Sequence, residues 1–412
     1  MSLKTISVVG LGYIGLPTAA IIASRGVNVI GVDVSQHAVD IVNQGKAHII
    51  EPDLDIVVRS TVQTGKLKAI AKPEPADAFI IAVPTPLKGN HEPDMSYIKA
   101  AAEAIAPVLE KGNLVVLEST SPVGTTEKLA NWLAEARPDL CFPRDAQDNP
   151  EINLAYCPER VLPGNVLQEL VSNDRVVGGL TRTCAKRAVA LYEIFVKGDC
   201  LVTNARTAEM AKLTENSYRD VNIAFANELS VICDTLEIDV WELIKLSNHH
   251  PRVNILNPGP GVGGHCIAVD PWFIVHSDPK NANLIKQARH VNDGKPNFVV
   301  EKVIASAVQY NSPVIACLGL AFKADIDDLR ESPAVEVVDK LAVMNIGRLL
   351  VVEPNVKKLP ERLEDNVVHC TLDEAIAQAD IILLLVDHKE FRQIESYRIE
   401  DCLVIDTRGV LC

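Results

Sequence analysis

The stretch Gly259-Pro260-Gly261-Val262-Gly263-Gly264-His265-Cys266-Ile267-Ala268-Val269-Asp270-Pro271 sets a thiol behind a glycine run and four residues ahead of a carboxylate. Glycine lets a backbone take positive φ and approach a ligand closely, so Gly263 and its neighbours read as a ligand-hugging loop. Cys266 there can serve as a nucleophile, and Asp270 can manage protons. The plainer alternative is a glycine turn followed by a buried cysteine. A second candidate pair is Lys212 and Asn216. No Pro or Gly interrupts Arg206 to Leu236, which predicts a helix of roughly thirty residues. Residues four apart share a face of it, with Asp220 extending the row. That row is either functional or an ordinary solvated polar face; Leu213, Ile223, Phe225 and Leu229 are expected to pack. A third candidate is Glu159, in the strand-end segment Cys157-Pro158-Glu159-Arg160-Val161-Leu162-Pro163-Gly164. It can assist catalysis or form a surface salt bridge.

The elements that position these groups are α/β in pattern. Ile6-Ser7-Val8-Val9 is a short strand, followed at once by Gly10-Leu11-Gly12-Tyr13-Ile14-Gly15, a helical run from Leu16 to Ser24, and a second strand ending at Asp33. Strand, G-x-G-x-x-G, helix, strand and acid stand in the order of a dinucleotide site. The first glycine makes the turn, the second admits the pyrophosphate, and the third lets helix pack on strand. Tyr13 and Ile14 lie in the same loop. A carboxylate at Asp33 bonds a ribose 2′-hydroxyl and repels a 2′-phosphate, which favours NAD over NADP. Ala78 to Val83 and Leu114 to Leu117 read as further strands whose following loops carry Thr85 and Thr120, candidate cofactor or water contacts. Thr125 or Thr126 looks like a helix cap. Arg137 to Pro150 lacks periodicity and reads as a surface excursion.

In the last third, strand Pro313 to Leu320 leads into a loop holding Lys323 and Arg330, then a helix Ala334 to Met344 and a strand ending at Glu353. Lys323 and Arg330 can hold a nucleotide diphosphate, or can pair with Asp325, Asp327 and Asp328. No second G-x-G-x-x-G occurs, so one dinucleotide is expected. The predicted fold class is α/β: two Rossmann-like doubly wound domains joined by a central helical domain with a long helix. The expected boundaries are 1–203, 204–300 and 301–412.

The 412 residues are 48% apolar and 23% charged, with a formal charge of −14. That balance argues against a nucleic-acid partner or an anionic membrane surface. The ten cysteines scatter singly without a C-x-x-C pair, fitting reduced thiols in the cytoplasm rather than a disulfide framework. Adjacent His249 and His250 have no third ligand at a suitable spacing, so no metal is expected. No apolar run approaches a bilayer span.

Taken in order, Gly10-x-Gly12-Tyr13-x-Gly15, Val83-Pro84-Thr85-Pro86, Glu118-Ser119-Thr120, Pro158-Glu159-Arg160, Lys212-x-x-x-Asn216, Gly263-Gly264-x-Cys266-x-x-x-Asp270 and Gly319-Leu320-Ala321-Phe322-Lys323 resemble the UDP-glucose/GDP-mannose dehydrogenase family over essentially the whole chain. The resemblance implies a four-electron oxidation of a sugar C6 alcohol to a carboxylate, with two NAD. It implies that Cys266 forms a thiohemiacetal and then a thioester, with Glu159 in its hydrolysis and Thr120 and Asp270 managing water. Lys212 and Asn216 would stabilise the C6 oxyanion. Arg160, Gly263, Lys323 and Arg330 would contact the UDP-sugar, with Arg252 reaching a neighbouring subunit's substrate across a homodimer built on the long helix. His265 and Val269 depart from the Ser and Lys typical of the UDP-glucose and GDP-mannose oxidisers. That form looks like the branch acting on UDP-N-acetylhexosamines. UDP-N-acetyl-D-mannosamine is the expected substrate within it, also through Lys88 to Met95 and Arg219 to Ile223, with UDP-GlcNAc and UDP-GalNAc as alternatives. The product would feed a bacterial surface polysaccharide such as enterobacterial common antigen. Two rival readings are a two-electron hydroxyacid dehydrogenase, which needs neither Cys266 nor the last α/β unit, and a non-catalytic nucleotide-sugar sensor.

Overall fold

The computed structural model describes residues 3–143, 150–162, 164–264 and 266–411, with the backbone alone for Tyr397. His265, Pro163 and positions 144–149 of the expected surface excursion lie outside the described residues. The chain divides into two compact units, Met1–Glu215 and Asn216–Cys412.

The first unit is built on β1 (Thr5–Val9), β2 (Asn28–Val32), β3 (Leu67–Ile70), β4 (Ala78–Ile81), a small hairpin β5–β6 (Leu87–Lys88 and Glu92–Pro93), β7 (Leu114–Leu117), β8 (Asn153–Tyr156), β9 (Arg175–Gly179) and β10 (Cys200–Asn204). Excluding the hairpin, they form one sheet in the order β10-β9-β8-β7-β4-β1-β2-β3. From β3 to β8 the strands are parallel, and the order reverses between β1 and β4. Such a switch point opens a crevice at the carboxyl ends of the strands. Helices cover both faces, which is why β4 and β7 are continuous apolar runs, buried at every position. Leu16, Ile22 and Val58 pack on one face with Ile6 and Val8, and Ile105, Leu129 and Leu133 on the other with Phe79 and Leu117. β9 pairs antiparallel with β8, Tyr156 opposite Gly178, so its first residue, Arg175, runs alongside the segment that follows β8.

The helix Ala205–Thr235 begins in the first unit and continues in the second. It matches the uninterrupted segment read from the sequence, with one correction. Leu213 is buried, but Phe225 is 54% exposed, and the small Ala224, Ala226 and Cys233 fill the packed side instead. The rest of the second unit holds helices Asp270–Ser277, Asn283–Ala307 and Pro333–Met344. Its strands are β11 (Val314–Leu318), β12 (Arg348–Val352), β13 (Val368–His369), β14 (Ile381–Leu384) and β15 (Leu403–Asp406). All are parallel, in the order β13-β12-β11-β14-β15, with the reversal between β11 and β14. Among the described residues, no helix is long and apolar enough to cross a membrane.

Candidate active site

The glycine loop after β1 has the division of labour its spacing predicts. Gly10, at φ +93, would place a Cβ 2.5 Å from the Ala82 carbonyl, and Gly15 would place one 1.8 Å from the Gly10 carbonyl. These two glycines let the chain pack on itself. A Cβ on Gly12 would meet nothing within 4 Å, so the front of the loop is open to a ligand. Gly12 and Tyr13 are exposed, and Ile14 precedes the helix Gly15–Ser24. Asp33, just past β2, accepts Leu11 N at 2.9 Å on Oδ2 and Ser35 N at 2.8 Å on Oδ1. Each oxygen keeps a further lone pair for a hydroxyl. Open space at the middle glycine and a partly exposed acid suit an NAD pyrophosphate and ribose.

The loops after β4 and β7 are tied together: Thr85 Oγ1 donates to the Thr120 carbonyl at 2.7 Å, and Ser119 Oγ to the Val83 carbonyl at 2.7 Å. Thr125 and Thr126 do not cap the next helix. Its N-cap is Gly124, at φ +90, without a side-chain cap bond. The orphan N–H groups go instead to the buried Glu209 of the long helix, which accepts Gly124 N at 2.6 Å and Thr126 N at 2.8 Å. Sequence spacing gave no signal for that pairing, since the two sites stand over eighty positions apart.

Glu159 is buried, so the surface salt bridge is replaced by an internal one. Its Oε2 accepts Arg175 Nη1 at 2.8 Å and its Oε1 accepts Arg160 N at 2.5 Å. The Arg160 side chain is engaged with Glu215, Nη2 to Oε1 at 2.8 Å, and with the Asp174 carbonyl at 3.1 Å. Glu118 and Arg175, both buried, are the site neighbours that spacing missed.

In the second unit Asn216 is buried, and its Nδ2 donates to Asp270 Oδ2 at 2.5 Å. The pair is not a solvated face. Lys212, half-buried, precedes Asn216 by one turn of the same helix. Asp270 opens the helix Asp270–Ser277, and its N–H bonds the Cys266 carbonyl at 2.8 Å, so thiol and carboxylate lie within one turn. Cys266 is exposed rather than a buried structural thiol. Val269 occupies the N-cap. The glycines ahead of Cys266 serve chiefly the chain's own packing. A Cβ on Gly263 would lie 2.4 Å from the Glu331 carbonyl, and one on Gly264, at φ +84, would lie 3.0 Å from the Phe322 ring. The loop is thereby seated on the Phe322 to Pro333 segment.

Lys323 lines a small cavity of about 30 Å³ with Gly261, Phe322, Pro333 and Arg408. Arg330 does not line it; it makes a two-pronged pair with Asp328, at 2.8 and 2.7 Å. Arg408, unnoticed in the sequence, is held over the cavity by Asp387 at 2.9 Å. Arg252 is exposed. Among the described residues no group of three or more His, Cys, Asp or Glu could hold a metal ion.

Comparison with known proteins fits this arrangement. Models of the UDP-glucose/GDP-mannose dehydrogenase family match residues 4–196 (NAD binding domain), 206–294 (central domain) and 316–412 (UDP binding domain). UDP-N-acetyl-D-mannosamine dehydrogenase of Yersinia pestis is 62% identical over 418 residues, covering 100% of both chains. NDP-N-acetyl-D-galactosaminuronic acid dehydrogenase of Ralstonia nicotianae is 61% identical over 407 residues, 99% of this chain and 96% of that protein. The solved structure of a UDP-D-ManNAc dehydrogenase from Pyrococcus horikoshii superposes with a TM-score of 0.89 at 38% identity, covering 99% of this chain and 96% of that one. The expected fold, two Rossmann-like domains about a helical middle, is the one these proteins share. The chain belongs to the UDP-glucose/GDP-mannose dehydrogenase family, as an NAD-dependent nucleotide-sugar dehydrogenase.

Proposed function

We propose that this enzyme oxidises C6 of a UDP-N-acetylhexosamine, foremost UDP-N-acetyl-D-mannosamine, to the carboxylate by way of a thioester on Cys266. The observation that carries this reading is the Asn216–Asp270 hydrogen bond of 2.5 Å, with exposed Cys266 one turn away. Gly10, Gly12, Gly15 and Asp33 would hold NAD, and two NAD bound in turn would each take one hydride from C6. Cys266 adds Sγ to the aldehyde carbon, forming the C–S bond while the oxygen becomes an oxyanion. Lys212 and Asn216 donate to that oxygen, a contribution of order 10²–10³ in rate per donor. After the second oxidation, water attacks the thioester, Glu159 takes its proton, and the C–S bond breaks to return the Cys266 thiolate. Thr120 and Asp270 orient that water. Covalent capture retains the aldehyde between the two oxidations. Lys323, with Arg408 beside it, contacts the UDP diphosphate, and Gly263, Arg160, Arg252 and Arg330 border the substrate. The three-part division at 204 and 301 assigns NAD, the helical middle and UDP to separate domains.

The choice of sugar is supported by the solved relatives. Two named as UDP-ManNAc dehydrogenases are 38% and 41% identical to this chain, against 28% for an NDP-N-acetyl-D-galactosaminuronic acid dehydrogenase. The Ralstonia relative favours UDP-GalNAc as the second reading. Assay of the purified protein with NAD and each of UDP-ManNAc, UDP-GalNAc, UDP-GlcNAc and UDP-glucose decides it. The expected result is uronate from UDP-ManNAc with the highest kcat/KM; a higher value for UDP-GalNAc overturns the choice. The uronate would serve a surface polysaccharide of enterobacterial common antigen type, made from the cytoplasm.

A homodimer is part of the same proposal. Met210, Tyr218, Phe225 and Ile232 are 40%, 69%, 54% and 45% exposed on the long helix. Their spacing of seven or eight aligns them in one stripe, as in a helix that pairs with a copy of itself. Light scattering should give twice the chain mass, falling to one mass in Phe225→Glu.

A further inference from the structure

Glu159 belongs to a buried ionisable cluster whose other members have no role so far. Because β9 runs antiparallel to β8, Arg175 at its start lies where β8 runs out into Cys157, Pro158 and Glu159. Its guanidinium, 1% exposed, donates to Glu159 at 2.8 Å and to the Leu170 carbonyl at 3.4 Å, and lies 5.4 Å over the Tyr192 ring. Its Nε has no hydrogen-bond partner. Glu118, just past β7, is buried in the same place. Its Oε1 accepts the Tyr192 hydroxyl at 3.3 Å, while Oε2 receives no hydrogen bond of good geometry.

The groups facing Glu118 are the Thr18 hydroxyl from helix Gly15–Ser24, Glu159 and Cys157 beyond β8, Arg175 on β9, and Tyr192 from helix Arg182–Tyr192. Burial first, and then the charge of Glu159, push the Glu118 carboxyl up to about 8 against the pull of Arg175. Burial likewise drives the Cys157 thiol up. The one guanidinium therefore bonds Glu159 and acts at longer range on Glu118, which keeps its proton at neutral pH.

We propose that Arg175 is a positioning residue for Glu159, and that the protonation state of Glu118 sets how much of the guanidinium's charge Glu159 receives. The proposal rests on the reading of Glu159 as the group that takes the proton of the hydrolytic water. With Glu118 neutral, Arg175 serves Glu159 alone and aims it. When Glu118 loses its proton, the guanidinium is divided between two carboxylates, and the added negative charge makes Glu159 the stronger base. Neither residue makes or breaks a bond to substrate. They act on thioester hydrolysis and leave the first oxidation alone.

The test follows the acyl adduct on Cys266 by rapid quench and intact mass, in enzyme given NAD and its UDP-sugar, between pH 6 and 9.5. Glu159→Gln should accumulate the adduct. Arg175→Met should do the same, its decay slowed ~100-fold as expected for a misplaced catalytic group. Arg175→Lys, which keeps the charge without the fork, should slow decay ~10-fold. Where Arg175→Met fails to fold, Arg175→Lys carries the test. In the wild type the decay rate should rise through an inflection near pH 8, and Glu118→Gln should remove that inflection. Adduct decay at the wild-type rate in Arg175→Lys overturns the positioning role, and persistence of the inflection in Glu118→Gln overturns the role of Glu118. If Glu159→Gln itself accumulates no adduct, the reading of Glu159 falls first and takes this proposal with it.

Discussion

The two α/β units place an acid at the same point of the same topology and treat it in opposite ways. In each, the strand beside the first one ends in a carboxylate that accepts N–H groups of the loop after the first strand: Asp33 from Leu11 at 2.9 Å, Glu353 from Leu320 at 2.7 Å and Ala321 at 3.0 Å. Asp33 stays partly exposed, before an open Gly12. Glu353 is 2% exposed, and the buried His388 sits against it at 3.2 Å. The His388 Nδ1 accepts Asp325 N at 2.8 Å, which leaves Nε2–H to point at Glu353. Gly319, at φ +87, has Val386 where a Cβ would go, at 2.5 Å. The second unit thus has the strand order of a dinucleotide fold with its acid spent on internal bonds. Room for a dinucleotide at this loop is set by what stands in front of it, not by the strand order.

Substitutions can break this comparison, and the largest effect is expected at Glu353. Glu353→Ala removes the acceptor of several buried donors, and urea unfolding should show a loss of roughly 3 kcal/mol, with NAD affinity kept in the folded protein. Gly319→Ala combines a left-handed φ with a close contact and should cost about 2 kcal/mol by the same measurement. Asp33→Ala should instead raise the Kd for NAD ~10-fold, read by fluorescence titration, with a smaller loss of stability. If Asp33→Ala unfolds the protein and Glu353→Ala weakens NAD, the contrast is reversed and the account of both acids fails.

The pH dependence of the two buried acids, Glu353 and Glu118, has opposite signs. Burial pushes Glu353 up, but the His388 hydrogen bond and the N–H groups of Leu320 and Asn355 outweigh it and hold the carboxyl below the usual value of 4.5. Its stabilisation is present above 4.5 and is lost as pH falls through the depressed value. Burial and the Glu159 charge raise Glu118 to about 8. Its stabilisation is complete below 4.5 and is lost as pH rises towards 8, with a limiting slope of about 1.4 kcal/mol per pH unit. Urea midpoints across pH should show Glu118→Gln flattening the alkaline side and Glu353→Gln the acid side.

Much of this was readable in the residues, for physical reasons. The long helix announces itself by lacking Pro and Gly, and the NAD loop by glycine spacing and Asp33, because local sterics govern both. What escaped depends on distant chain segments. Arg175 meets Glu159 only because β9 runs antiparallel, Glu209 caps a helix from far along the chain, and Arg408 reaches the Lys323 cavity from beyond β15. Phe225 was expected to pack, but helical spacing does not say which faces meet a neighbour. The glycines before Cys266 point to close approach correctly, yet the approaching groups are Phe322, Glu331 and Pro333.

The central claim is that Cys266 carries the sugar between two oxidations. NADH formed per UDP-ManNAc consumed, measured to completion with limiting sugar, tests it most directly. Two NADH per sugar in the wild type, with that second equivalent lost in Cys266→Ala, is the predicted result. One NADH per sugar in the wild type, or two in Cys266→Ala, contradicts the thioester route.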